Sequence, residues 1–406
     1  MFSLHERTQR KFCRTAFVLV CALPTLIILC WVAYFHRPWQ ERDWQQAFES
    51  ELHVNVEVGE VSAPRPWRRS LEYVSLSDLH SKWPLIEFHN LQVGPADSIC
   101  VETAIVSCNH LQTLARAAQI WLAGESIRNS QWQFKELNFT NTEGAQWGLQ
   151  DVRCEIKAFP DGVRQCLAHA RRDNKLIRLS IERSTDGKIQ MLVDAQQVAV
   201  PAWVLAETLP GANSWQTAPV TGVIHWEAEH SEVRGYLRGH VNSIDTQAWI
   251  GNDLLHARTT LQLESFTWRN GRLESAQGSL QASTGTVSSA LLLLLKEKFL
   301  CTLAVEESQL NEKSQLHQID ELGCQFQLNE AGLTVTGMFA WGETSKGCII
   351  TSAGKPFVSN PAIPTLPLAQ LVQLVNPHNP YWVPATREAI SLGEKLPLPE
   401  STTQKK

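Results

Sequence analysis

The chain has 406 residues, a formal net charge of −5 at pH 7 and 19% charged residues, which excludes a broad electrostatic footprint for nucleic acid. Its ten cysteines include no CxxC pair, and three of them (Cys13, Cys21 and Cys30) fall in or beside one apolar run. The length allows two domains, but no low-complexity linker separates them; the best candidate for a break is the loop-like Gly211–Pro219.

Residues 1–14 carry Arg7, Arg10, Lys11 and Arg14. The stretch Thr15–Phe35 (TAFVLVCALPTLIILCWVAYF) then contains no charge. At about 1.5 Å per residue it makes a helix of roughly 30 Å, the hydrocarbon thickness of a bilayer. Pro24 is tolerated in a spanning helix, and Trp31 and Tyr34 fall where amphipathic rings meet headgroups. Only Arg37 and Arg42 follow closely, interspersed with Glu41 and Asp43. The positive-inside rule therefore predicts an N-terminus in the cytoplasm and the bulk of the chain beyond the membrane. Two rivals fit less well. A cleaved signal has a shorter apolar core, and Val32-Ala33-Tyr34-Phe35-His36 is a poor cleavage site. Bulky Leu29 before Cys30 does not fit a lipoprotein signal, so Cys30 reads as an apolar membrane residue.

Past the anchor, period-two alternation dominates. In His53–Val58, Val54, Val56 and Val58 point one way and the polar residues the other. The same reading fits Leu85–Val93, Ser98–Val106, Gln131–Phe139, Val152–Ala158, Leu176–Glu182 and Lys188–Val193. It continues through Val220–Ala228, Glu232–Val241, Thr259–Trp268, Leu273–Ala282, Phe299–Val305, Cys324–Leu328 and Leu333–Phe339. Pro160-Asp161-Gly162, Asp173-Asn174, Asp186-Gly187, Asn270-Gly271 and Ala331-Gly332 mark turns, with Asn270-Gly271 the strongest hairpin signal. Helices are expected at His110–Ala123, Pro201–Leu209, within Gly285–Phe299 and at Pro367–Val375. The predicted layout is a mainly β region over 36–360 and a Pro-rich, partly disordered segment over 361–406. Many short-turned strands predict an extended, curved antiparallel sheet, on the order of 60–90 Å at about 4.8 Å per strand.

Chemical motifs are scarce. Gly337–Thr344 (GMFAWGET) has the spacing of a phosphate loop, but Glu343 replaces its lysine and would repel phosphate. His225 and His230 are five apart in a strand-like run, where they face opposite sides and do not make a zinc pair. Cys166 and His169 form a CxxH with no partner pair, while Cys154 and Cys166 are placed to bridge a hairpin in an oxidising compartment or to remain small buried hydrophobes. No catalytic, metal or cofactor residues are predicted, and the chain is read as a non-enzyme. Arg65, Trp67, Arg68 and Arg69 lie soon after the anchor and are expected to touch anionic headgroups. Arg171, Arg172, Lys175 and Arg178 surround a predicted turn and read as a solvated loop.

The order anchor, Trp44–Phe48, Val54–Pro66 and Leu71–Leu79 resembles the start of AsmA-like proteins of the bacterial envelope. Gly222–Glu227, Gly235–Val241, Trp268–Gly278 and the helix after Gly285 resemble their later part, so the likeness covers about half the chain, in layout rather than in an invariant motif. It implies an inner-membrane, single-pass protein with its bulk in the periplasm. It also implies a bent sheet whose apolar groove binds or passes lipid, with phospholipid and envelope proteins as partners. The chain is short beside the bridge-forming members, and its 15 Trp against 4 Tyr are unusual for that layout. Alternation alone equally allows a closed β-sandwich, and with it a structural or adaptor ectodomain of a secretion or envelope assembly that binds protein through sheet edges.

Overall fold

In the computed structural model the alternating runs join into one large open sheet of 20 strands, mixed but mostly antiparallel. The structure describes residues 6–35, 40–65, 68–79, 83–95, 98–124, 129–206, 209–210, 215, 218–229, 232–246, 254–304, 310, 315–368, 371 and 395–397.

The N-terminal helical stretch is divided. Helix α1 (Glu6–Phe17, 12 residues) passes into a π-helical turn at Val18–Ala22 and then into α2 (Leu23–Phe35, 13 residues). The cause is local. Pro24 has no N–H to give back to the preceding turn, and the ladder widens just before it, with Leu23 N–H reaching back to Val18 O. Thr25 Oγ1 donates to Cys21 O at 2.6 Å and so satisfies one of the carbonyls near the disturbed ladder. With the stretch so divided, no helix among the described residues is long and apolar enough to cross a membrane.

Helix α3 (Gln40–Leu52) leads into the sheet. Strands β1 (Asn55–Val58) and β2 (Val61–Arg65) run in succession along β3 (Arg68–Ser77). On its other side β3 pairs with β4 (Pro84–Val93), and β4 with β5 (Ser98–Ser107). A 3-10 turn (Cys108–His110) and helix α4 (Leu111–Ala123) then return the chain along the sheet to β6 (Ser130–Thr140). A strand–helix–strand crossover brings the second strand back in the same direction, so β5 and β6 pair in parallel and the all-antiparallel expectation fails there.

An antiparallel meander follows: β7 (Gln146–Ala158), β8 (Arg164–Arg172), β9 (Lys175–Arg183) and β10 (Ile189–Pro201). Beyond it come β11 (Pro219–Glu229), β12 (Glu232–Asp245), β13 (Leu255–Arg269) and β14 (Arg272–Ser288). Strand β10 pairs directly with β11, so the sheet continues across the stretch proposed as a break. After helix α5 (Ser289–Phe299), β15 (Leu316–Ile319) and β16 (Glu321–Asn329) pair in succession with β14. The sheet ends with β17 (Gly332–Gly337), β18 (Phe339–Trp341), β19 (Thr344–Ser352) and β20 (Lys355–Ser359).

Local chemistry explains most boundaries. Asn270 (φ 49°) and Gly271 (φ 76°) join Arg269 to Arg272, and Asp173 (φ 50°) and Asn174 (φ 62°) join Arg172 to Lys175; both are two-residue turns with positive φ at each centre. The turn expected at Ala331-Gly332 is displaced, since Asn329 faces Gly332 and leaves Glu330-Ala331 between them. The expected helix Pro201–Leu209 is a four-residue 3-10 turn (Ala202–Leu205), held by Ala202 N–H to Ala218 O. Among the described residues the expected strand Phe299–Val305 is not formed: Phe299 ends α5, Leu300 caps it in the left-handed region, and Leu303 makes an isolated bridge to Val358, flanked by backbone hydrogen bonds of Thr302 and Ala304, while Val305 lies outside those residues. Most of Pro367–Val375 lies outside the described residues, as does most of 361–406 beyond Leu368.

The sheet is curled. Ala195, Gly222, Gly239, Leu263 and Gly278 form one row across β10 to β14, with register shifts beside it. A methyl at Gly239 would sit 2.0 Å from Thr221 O, and one at Gly278 2.0 Å from Gln262 O, so only glycine permits this approach. The 3-10 turns after β5 and β10 touch, although a flat sheet would hold those strands about 24 Å apart at ~4.8 Å per strand. The curl gathers apolar side chains into successive cores on one face. One sheet covered by helices and turns replaces the two facing sheets of the sandwich expectation.

Candidate functional site

The N-terminal core is incompletely filled. Trp44, Phe48 and Leu52 of α3, with Leu114 and Ala117 of α4, pack over Val56, Val74, Leu91 and Val101 of the sheet. Beneath those two helices lies a cavity of about 610 Å³, within the range of about 300–1,000 Å³ typical of small-molecule sites. Its roof is Phe48, Leu52, Leu114, Ala117, Ala118 and Trp121. Its floor runs from Val54, just before β1, to Ile156 and Cys166 on β7 and β8. Among the described residues no charged side chain lines it, and the polar contributions are the Ser130 hydroxyl and the Cys154 and Cys166 thiols.

Rings build much of the floor. Trp132 lies 6.1 Å from Phe134 and 6.3 Å from both Phe88 and Trp121, centroid to centroid. Alternation explains this: Trp132 and Phe134 are two apart on β6, so both face the helices. The space persists because α4 presents Ala117 and Ala118 to these rings. Such a surface attracts hydrocarbon and offers nothing to hold an ion.

A second recess, about 700 Å³, lies around the glycine row and is lined by Thr221, Tyr236, Arg238, His240, Gln262 and Glu264 among others. It is larger, but Arg238 and His240 are exposed and no β-carbon stands over Gly222 and Gly239. The recess follows from the bend of the sheet, and the apolar cavity is the better candidate site.

The basic cluster sits elsewhere. Arg65 faces Arg68 at one end of β3, while α3 delivers the chain at the other, where Asn55 faces Ser77. The ten steps from Asn55 to Arg65 cover up to about 33 Å at ~3.3 Å each, so the cluster lies at the end of β3 away from α3. Arg68 and Arg69 are half-buried on β3; Trp67 and the Arg65 side chain lie outside the described residues. In the second cluster, Arg172 lies over the Trp147 ring at 5.2 Å and donates to Gly148 O at 2.9 Å, so it is a packed side chain rather than a purely solvated one.

His225 sits half-buried on β11 between Leu192 and Tyr236, and His230 lies outside the described residues. Among the described residues no group of three or more His, Cys, Asp or Glu could hold a metal. Gly337–Thr344 forms strand, turn and strand instead of a loop before a helix. Burial pushes the Cys301 thiol up to about 12 and Cys324 up to about 11, which keeps both protonated. Burial also raises Tyr73, whose hydroxyl donates to Glu87 Oε1 at 3.2 Å.

Fold and cavity together define a class: an open, curled β-sheet with an apolar pocket roofed by two helices. Comparison with protein-family models, with curated proteins and with solved structures finds no match for this chain. The cavity was missed in the sequence because alternation shows which side chains face inward and not how much space they leave. The small pair Ala117-Ala118 between Leu114 and Trp121 was the available signal.

Proposed function

We propose that this chain is a membrane-anchored, non-enzymatic envelope protein whose cavity takes the acyl part of a lipid, in the manner of the AsmA-like proteins it resembles. The observation that carries the reading is the 610 Å³ cavity with no charged lining. Hydrocarbon entering it gains about 25 cal/mol for each Å² removed from water, with no charge left unpaired.

Support for the anchor comes from exposure. Phe17 is 64% exposed and Val20 72%, and Leu23, Leu26, Ile27, Ile28, Leu29 and Val32 point outward all round the helix. A helix that is apolar on every side is stable when buried in a core or a bilayer, and no protein core covers this one among the described residues. The reading has the N-terminus in the cytoplasm, the sheet in the periplasm, and the cavity reached from the bilayer past α3. Phospholipid is then the cargo, and envelope proteins are the partners at the sheet edges.

Photoactivatable acyl phospholipid, incorporated into cells expressing the full chain, tests this directly. Cross-links mapped to peptides of α3, α4 and β6 are the expected result. Labelling confined to residues 15–35 would remove the cavity from the proposal while keeping the anchor.

A further inference from the structure

Two thiols interrupt the apolar wall of the cavity. Cys154 on β7 faces Ala168, and Cys166 on β8 faces Ile156, so the cysteines are diagonal neighbours across one hairpin. Their sulfurs lie 3.1 Å apart, about 1 Å beyond the ~2.05 Å of a covalent bridge. Both are half-buried and open onto the cavity instead of being sealed in a core.

We propose that Cys154 and Cys166 are a redox site, a reversible disulfide that ties β7 to β8 in the cavity wall and forms by exchange with a small-molecule disulfide. The Cys166 thiolate attacks one sulfur of the small disulfide, breaks its S–S bond and releases one thiolate. The Cys154 thiolate then attacks the Cys166 sulfur and expels the second. Two protons leave the protein, its dithiol loses two electrons, and the small disulfide gains them. We take this order because, with the Cys154 thiol donating to the Cys166 sulfur, the contact lowers the pKa of Cys166, while the same contact and burial raise that of Cys154.

Register argues for a reversible bridge. Diagonal neighbours in a regular ladder have α-carbons about 7–8 Å apart, at or beyond the ~7 Å limit for bridging without backbone movement. Closing the bond draws the two strands together against their ladder, and a strained bridge is more readily reduced. The inference does not depend on what the cavity holds.

The test equilibrates the full-length protein against mixtures of reduced and oxidised glutathione, then quenches with acid, alkylates and maps peptides by mass spectrometry. A Cys154–Cys166 disulfide peptide should replace both alkylated thiols within the glutathione range and revert on the return titration. In the Cys154→Ala chain, Cys166 should carry glutathione instead; should that variant not fold, the wild-type titration decides alone. Both thiols staying alkylatable while exposed Cys100 takes up glutathione overturns the proposal. A bridge from either to another cysteine, or one that survives the most reducing mixture, does the same.

Discussion

Helices α4 and α5 both lie on the apolar face of the same sheet, yet one covers a cavity and the other a filled core. From α5, Leu291, Leu292, Leu294 and Phe299 are buried against Val287, Ile319, Ile350 and Val358. From α4, Ala117 and Ala118 face Trp132 and Phe134 across empty space. The strands beneath alternate alike, so the difference lies in the volume of the covering side chains. Connectivity adds to it. Helix α4 is a crossover that must reach from the end of β5 to the start of β6, whereas α5 caps β14 and the chain returns to the same strand through β15.

The largest effect is expected where the core is filled. Leu292 is fully buried, and Leu292→Ala should cost about 2–5 kcal/mol, read as a lower midpoint in chemical denaturation. A loss well under 1 kcal/mol would mean that α5 also covers spare volume. Next comes the bend that lets both regions share one sheet. Gly239→Ala places a methyl against Thr221 O, where only backbone can yield, and should destabilise by about 1–3 kcal/mol in the same assay.

In the cavity the sign of a bulky change reverses. Ala118→Trp fills space, so stability should hold while affinity for a fluorescent fatty acid falls at least about tenfold, or ~1.4 kcal/mol. Undiminished probe binding in that variant would place the acyl site elsewhere. The smallest effect distinguishes the regions by pH. His317 Nε2 lies 2.8 Å from Ser289 Oγ at the start of α5, and burial lowers its pKa. The folded state therefore binds this proton less readily than the unfolded chain. Stability is full above the unfolded value of about 6.5 and declines as pH falls through it towards the lower folded value. Denaturation between about pH 7.5 and 5.5 should show this loss, and His317→Gln should flatten it. An equal slope in the variant would assign the pH dependence to another group.

Much of the strand layout was legible. Asn270-Gly271 and Asp173-Asn174 specify their turns because Asn, Asp and Gly accept positive φ, and the flanking alternation follows from a two-residue period. Strand β8 was legible only at Cys166, as the hairpin partner of Cys154, and without its bounds. Its ends carry Arg164, Arg171 and Arg172, and half-buried residues run through its middle, so no clean alternation shows. Strands β19 and β20 were missed because Ala353 takes a positive φ (51°) beside Gly354, which alanine seldom does. The parallel pair escaped because a helix between two strands does not reveal which strand the second will join.

By itself, then, the sequence determined a mainly β chain, the hairpins, the uncharged Thr15–Phe35 run and the absence of a recognisable catalytic motif. These are local properties, set by backbone sterics, side-chain period and hydropathy within a few residues. The tertiary structure decided the rest: the curl at the glycine row, the distance of Arg65 and Arg68 from α3, and the cavity. Each is a relation between residues far apart in the chain. A cavity in particular is a difference between the space the sheet encloses and the volume that α4 brings, and no single stretch of sequence contains both quantities.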